Sequence, residues 1–165
     1  MIIKLLKSIF QALQTDISPV QVAFGFALGA FLGFVPGILL FCFFFIVIMI
    51  LRVNIGAALA GWTLFGLIGL LTDPLADILG FFVLKLGFLQ GLWTGFYNAS
   101  VIPWTNFNNT IVMGNIVLAI LLFFPLYYFS KKFIIWYRAN YRDKIAKYRI
   151  VKILTASSWY LTFFK

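Results

Sequence analysis

The chain has 165 residues, of which 64% are hydrophobic and only 10% charged, and its mean hydropathy is +1.06. Thirteen Lys or Arg against four acids, all of them Asp, leave a formal charge of +9, with no His and one Cys. A soluble domain carries about 25% charged residues, and a chain of this size has too little interior to hide so much apolar surface. A soluble globular protein, a disordered chain and a disulfide scaffold are therefore excluded, which leaves an integral membrane protein. Without His there is no Ser-His-Asp catalysis and no imidazole metal site. Cys42, in Phe-Cys-Phe-Phe-Phe, reads as apolar filler. No cofactor and no metal is expected, and any enzymatic chemistry would rest on the aspartates.

Residues 1–15 predict an amphipathic surface helix, with Ile2, Leu5, Leu6, Ile9, Phe10 and Leu13 on one stripe and Lys4, Lys7, Gln11 and Gln14 opposite. No small-residue cleavage site follows, and Asp16 and Pro19 interrupt before the apolar run, so it is not read as a signal peptide. Residues 16–95 read as a broken-helix membrane domain. Ser18-Pro19 supplies a helix start. Residues 19–35 and 38–51 predict two short helices separated at Pro36-Gly37, because Pro cannot continue the backbone ladder and Gly turns freely. Residues 55–71 and 75–92 predict a second pair broken at Thr72-Asp73-Pro74. A shift of 36 positions lays Gly25 on Gly61 and Gly33 on Gly69, a loose repeat of the kind found in transporters with broken helices. Gly25, Gly29 and Gly33 fall on one helical face and predict close packing against a neighbour.

Residues 96–110 read as an interfacial loop, since Tyr97 and Trp104, with Trp93 just before, suit a membrane surface and Asn98, Ser100, Asn106, Asn108 and Asn109 require water. Residues 111–130 form the cleanest single span. Residues 131–165 form a basic tail, expected in the cytoplasm, whose Lys131, Lys132, Arg138, Arg142 and Lys147 suit anionic headgroups. Ile134, Tyr137, Tyr141, Ile145 and Tyr148 give that tail one helical apolar face. So close to a bilayer, lipid phosphate is a better partner for it than nucleic acid. The fold class is thus all-α: two Pro-broken helix pairs, one further span, an amphipathic N-terminal helix and a basic C-terminal helix. If all five apolar segments cross, however, the two basic ends fall on opposite sides. The simplest repair is that one helix pair dips in without crossing, or that one short helix is buried in protein.

Arg52, Asn54, Asp73, Asp77 and Lys85 form the candidate polar site, and Pro36, Gly37 and Pro74 the breaks beside it. Asp73 is the natural N-cap of a helix starting at Pro74. An acid such as Asp77 in hydrocarbon costs about 2.5–3.5 kcal/mol and needs a cavity or a cation. Its candidate partners are Arg52 and Lys85, and Arg52 could instead pair with Asp16. The Asp-x-x-x-Asp spacing also occurs in magnesium-dependent phosphoryl and prenyl transferases, but no third acid stands near.

The stretch from Ser18-Pro19 through Gly25-Phe26-Ala27-Leu28-Gly29-Ala30-Phe31-Leu32-Gly33-Phe34-Val35-Pro36-Gly37, with Arg52-Val53-Asn54 after it, resembles an uncharacterised bacterial membrane-domain family. Members share a Ser/Thr-Pro start, a Gly-x-Ala-x-Gly-x-Phe-x-Gly-x-x-Pro core and a later Arg-x-Asn. Where they often carry Asn-Pro at the second break, this chain has Asp73-Pro74. The resemblance covers about residues 10–95. It implies a bacterial inner-membrane protein with no settled activity, and fusions of relatives to glycosyltransferases imply lipid-linked sugars or envelope lipids.

The function expected is non-enzymatic: handling or translocation of an envelope lipid or lipid-linked precursor in the bacterial inner membrane, alone or beside an envelope protein. The alternatives are a structural subunit or anchor for a partner protein, and a small magnesium-dependent lipid phosphoryl or prenyl transferase using Asp73 and Asp77.

Overall fold

The computed structural model describes residues 17–35, 37–51 and 53–142. Among these the only regular structure is helical. Five α-helices follow in order: α1 (Pro19–Phe34), α2 (Ile38–Ile50), α3 (Ile55–Leu84), α4 (Gln90–Tyr97) and α5 (Thr110–Asn140), with 3-10 turns at Gly87–Leu89 and Ile102–Thr105. By length and composition α3 and α5 are each able to cross a membrane. The expected helix over residues 1–15, Asp16, Pro36, Arg52, Lys147 and the remainder of the basic tail lie outside the described residues.

The core is three helices thick. α1 is clasped between α3 and α5, and α3 packs on α5 along its far half. Nine of the 16 residues of α1 are buried. The glycine face makes this possible. A Cβ on Gly25 would lie 2.6 Å from the Asn54 carbonyl oxygen, and one on Gly33 would lie 2.6 Å from the Gly66 nitrogen. Gly29 sits tighter still on the Ala58 carbonyl, and Gly61 of α3 reciprocates against Phe26 and Ala30. Steps of four on α1 thus meet steps of four on α3, and the two helices run parallel at a separation only glycine allows. α5 runs antiparallel to both. Ile134 packs on Val22, Ala23 and Ala57, and Ala119 on Phe34 and Phe65.

The first break is present. α1 ends at Phe34, and Gly37 takes φ +118° before α2 starts, a conformation open to glycine and strained for other residues. The chain then folds back, because the Asn54 amide donates to the Gln21 carbonyl at 3.3 Å. α1 and α2 therefore form a helical hairpin whose two feet meet at one end of the bundle. α2 is peripheral, and Ile48 is its one buried residue.

The second break is absent, which corrects the expected pair 55–71 and 75–92 and with it the two-unit repeat. α3 runs through Pro74 without interruption and stops at Leu84. Pro74 does remove one backbone bond, to the Leu70 carbonyl. Its ring faces outward, while Asp73, Ala76 and Gly80 on the inner side are held against α5. A neighbouring helix splints the segment that the lone sequence would break. The expected loop over residues 96–110 is also reorganised: the end of α4 occupies its start and a 3-10 turn its middle. α5 continues past residue 130 to Asn140, so Lys131, Lys132 and Arg138 belong to the long helix and not to a separate tail.

Candidate functional site

The site is built where α3 crosses α5, at the end of the bundle away from the hairpin feet. Asp73, Ala76, Asp77 and Gly80 occupy one face of α3 at helical spacing. Thr110, Gly114 and Asn115 face them from the first turns of α5. A side chain on Gly80 would collide with the Thr110 carbonyl, and one on Gly114 with the Ala76 carbonyl. This backbone-to-backbone contact brings two polar rungs into register. Asn115 Nδ2 donates to Asp73 Oδ1 at 3.1 Å. The Thr110 hydroxyl donates to Asp77 Oδ1. Asn109 caps α5 by accepting from the Val112 amide at 3.2 Å, so Asp77 stands beside a helix N-terminus, where a negative charge is favoured.

Burial differs sharply across the two rungs. Asn115 is 1% exposed, and its Oδ1 has no hydrogen-bond partner. Asp73 is half-buried and Asp77 exposed. Asp73 is therefore no N-cap: with Pro74 inside α3, its carboxylate is spent across the interface. The expected cationic partners also fall away. Lys85 caps the end of α3 and lays its Nζ 4.1 Å over the Phe81 ring, and among the described residues neither carboxylate has a Lys or Arg against it.

Asn54 stands apart from the acids. Its side chain caps α3 by accepting from the Ala57 amide at 2.7 Å, and its backbone binds the foot of α1. The candidate residues thus do not gather as one site: Asp73 and Asp77 pair with residues of α5, Asn54 is at the opposite end, and Lys85 is turned away. Thr110, Gly114 and Asn115 were not expected. The signal that could have found Asn115 is a lone amide in an apolar span beside a small residue.

The far end of the bundle is basic. Lys131 and Lys132 lie on α5 roughly two turns before Arg138, whose Nη1 donates to the Ile17 carbonyl at 2.7 Å. A separate cup lies beyond the end of α3. Leu84, Gln90, Trp93, Thr94, Tyr97, Phe107 and Asn108 line a cavity of about 300 Å³. Gln90 Nε2 ties it to the Leu84 carbonyl at 2.7 Å.

No solved structure matches this chain. It is 30% identical over 144 residues to an uncharacterized protein of Treponema pallidum (strain Nichols), a match covering 87% of this chain and 89% of that protein. Residues 4–143 match the family described as uncharacterized protein conserved in bacteria, DUF2062. The glycine face of α1, the capping Asn54 and the long Pro-containing helix that they pack against lie within those residues, and the chain belongs to that bacterial family.

Proposed function

We propose that this is a bacterial inner-membrane protein that handles or translocates an envelope lipid or lipid-linked precursor, without itself catalysing a reaction. The observation that carries the membrane reading is the pairing of a closed hairpin with an apolar exterior. Ile46, Ile50, Leu67, Leu70, Leu71 and Phe124 are among many large side chains left more than half exposed around the bundle, a surface suited to lipid and not to water. The hairpin feet meet at Gln21 and Asn54, and Arg138 binds Ile17 at that same end. A re-entrant α1–α2 pair with two crossings, α3 and α5, closes the count that five crossings left open. Residues 17 and 138 then lie on one side, and the basic residues there favour the cytoplasmic face for it.

Lipid handling is supported by two features of that arrangement. Lys131, Lys132 and Arg142 offer charge to anionic headgroups at the cytoplasmic end. Asp73, Asp77 and Asn115 offer polar groups on the inner faces of α3 and α5 toward the other end. The test is reconstitution in liposomes with fluorescent anionic and zwitterionic lipids. Accelerated dithionite bleaching of inner-leaflet probe supports translocation; bleaching equal to that of protein-free vesicles, together with no lipid retained on purification, removes it. Cysteine labelling with Cys42 replaced checks the sidedness: positions 54 and 140 should label from one side and 98 from the other.

A structural role is the second reading, and α2 favours it. Phe43, Ile46, Met49 and Ile50 stand exposed on a helix with a single buried residue, a surface that a partner's transmembrane helix could cover. A stoichiometric protein that copurifies from membranes, and is lost on replacing Ile46 and Ile50 by Ala, would favour this reading over translocation.

A further inference from the structure

We infer that the cup beyond the end of α3 binds a neutral, hydroxyl-rich group: a sugar, free or carried on a lipid. From residue 86 to residue 130 the chain has no charged side chain, yet the segment between α3 and α5 is rich in amides and hydroxyls. Gln90, Trp93, Thr94 and Tyr97 recur at steps of three and four and so share one face of α4. That face closes with Leu84, Phe107 and Asn108 around a cavity of about 300 Å³, at the lower end of the size range of small-molecule sites. Its aromatic side is packed in place. Phe107 is 6% exposed, its ring centroid lies 6.2 Å from that of Trp93, and Phe96 meets it edge-on at 5.8 Å. The polar groups are positioned but not spent. Gln90 Nε2 donates to the Leu84 carbonyl, and the Thr94 hydroxyl donates to the Gln90 carbonyl at 2.8 Å, which leaves Gln90 Oε1 and the Thr94 lone pairs as acceptors. Neither the Tyr97 hydroxyl nor the Asn108 amide bonds to another described residue, and Trp93 Nε1 is buried without an acceptor among them.

The lining selects the occupant by its lack of charge. No Lys, Arg or Asp borders the cavity, and Lys85, beside it in sequence, lays its Nζ over the Phe81 ring instead. A phosphate or carboxylate would sit there without a counter-charge, and a metal ion without a carboxylate. An acyl chain would cover two amides and two hydroxyls and leave them without partners. A sugar ring suits both halves. Its C–H face is apolar and rests on aromatic rings such as Trp93 and Tyr97. Its hydroxyls, each a donor and an acceptor, match amide side chains that offer both. Asn108 also borders a second hollow, lined by Asn106, Asn109, Ile111 and Val112, so the polar lining continues past one ring and suits a glycan of more than one unit. Sugar binding goes beyond the translocation reading and stands without it, because it requires no movement of lipid.

The experiment is saturation-transfer difference NMR on the full chain, purified in a polyoxyethylene detergent because alkyl glycosides would themselves present sugar. The probes are the methyl glycosides of glucose, galactose, mannose and N-acetylglucosamine, with glycerol phosphate and phosphocholine as charged comparators. Wild type should transfer saturation to the ring C–H protons of at least one glycoside and to neither comparator. Asn108→Ala and Tyr97→Ala, both at exposed positions, should each weaken binding of that glycoside roughly tenfold. Phe129→Ala, an exposed aromatic on α5 outside the cup, should leave it unchanged. A diacylglycerol bearing the same sugar, in nanodiscs, then separates the two sources: displacement of the glycoside assigns a lipid-borne sugar, no displacement a free one, and both support the site. Transfer to none of the glycosides overturns the inference, as does stronger transfer to phosphocholine than to every glycoside, or binding unchanged in both cup variants. Sugar binding without lipid flipping in liposomes would remove the translocation reading alone.

Discussion

Gly29→Ala isolates the contact on which the bundle depends. The added methyl would meet the carbonyl oxygen, carbon and Cα of Ala58, all backbone, and no side chain can swing aside to admit it. To restore the roughly 3.0 Å that real Cβ atoms keep, α1 and α3 must part by about 1 Å near the middle of their contact. Neighbouring contacts loosen with it, including Leu28 and Leu32 against Ala58 and Ile48. Overpacking of this kind costs about 1–3 kcal/mol, and more where backbone must move. Alanine returns up to about 1 kcal/mol of helix propensity. The net loss expected is about 2 kcal/mol, or roughly 4–8 °C in the midpoint of thermal unfolding for a chain of this size. The control is Gly66→Ala on α3, where the new methyl would find its nearest neighbour, the Gly33 carbonyl, at 3.9 Å, an ordinary contact. That variant should melt at or slightly above wild type. Both proteins would be purified in the same detergent and melted at one scan rate, with protease resistance as a second reading. If Gly29→Ala melts with or above Gly66→Ala, the parallel α1–α3 contact is not what holds the bundle together.

Further outcomes follow from the same structure. Gly37→Ala should lower the midpoint by an amount equivalent to about 1–3 kcal/mol, because φ +118° strains any residue with a Cβ; an unchanged melt would show that the hairpin tip relaxes freely. Pro74→Ala restores a backbone donor within α3 and should not destabilise, since Pro in a helix interior costs about 3 kcal/mol; a lowered midpoint would mean that the proline bend itself shapes the crossing. Asn115→Leu leaves the half-buried Asp73 without its donor and should cost about 1–3 kcal/mol, while the double variant Asn115→Leu with Asp73→Leu should recover much of that loss in the same melting assay. Gly91→Ala, with open space around it in α4, should be neutral or slightly stabilising, and serves as the reference for all glycine variants.

Local chemistry was legible from the residues alone. An apolar excess without His or Glu states a helical, lipid-suited chain. Pro36-Gly37 ends a helix whatever surrounds it, because a missing donor and a permissive glycine act within a few residues. The question of how many segments cross could be posed from charge and length. Only the tertiary structure decided the rest. Pro74 has the same missing donor as Pro36, yet α3 continues through it, because Asp73, Ala76 and Gly80 are pinned to α5 and the loss of one bond is outweighed. Asp73 reads as a cap in isolation and becomes one side of an interhelical pair once Asn115, 42 positions away, is brought beside it. A backbone break depends on neighbours along the chain, whereas the partner of a buried polar group depends on which helices touch.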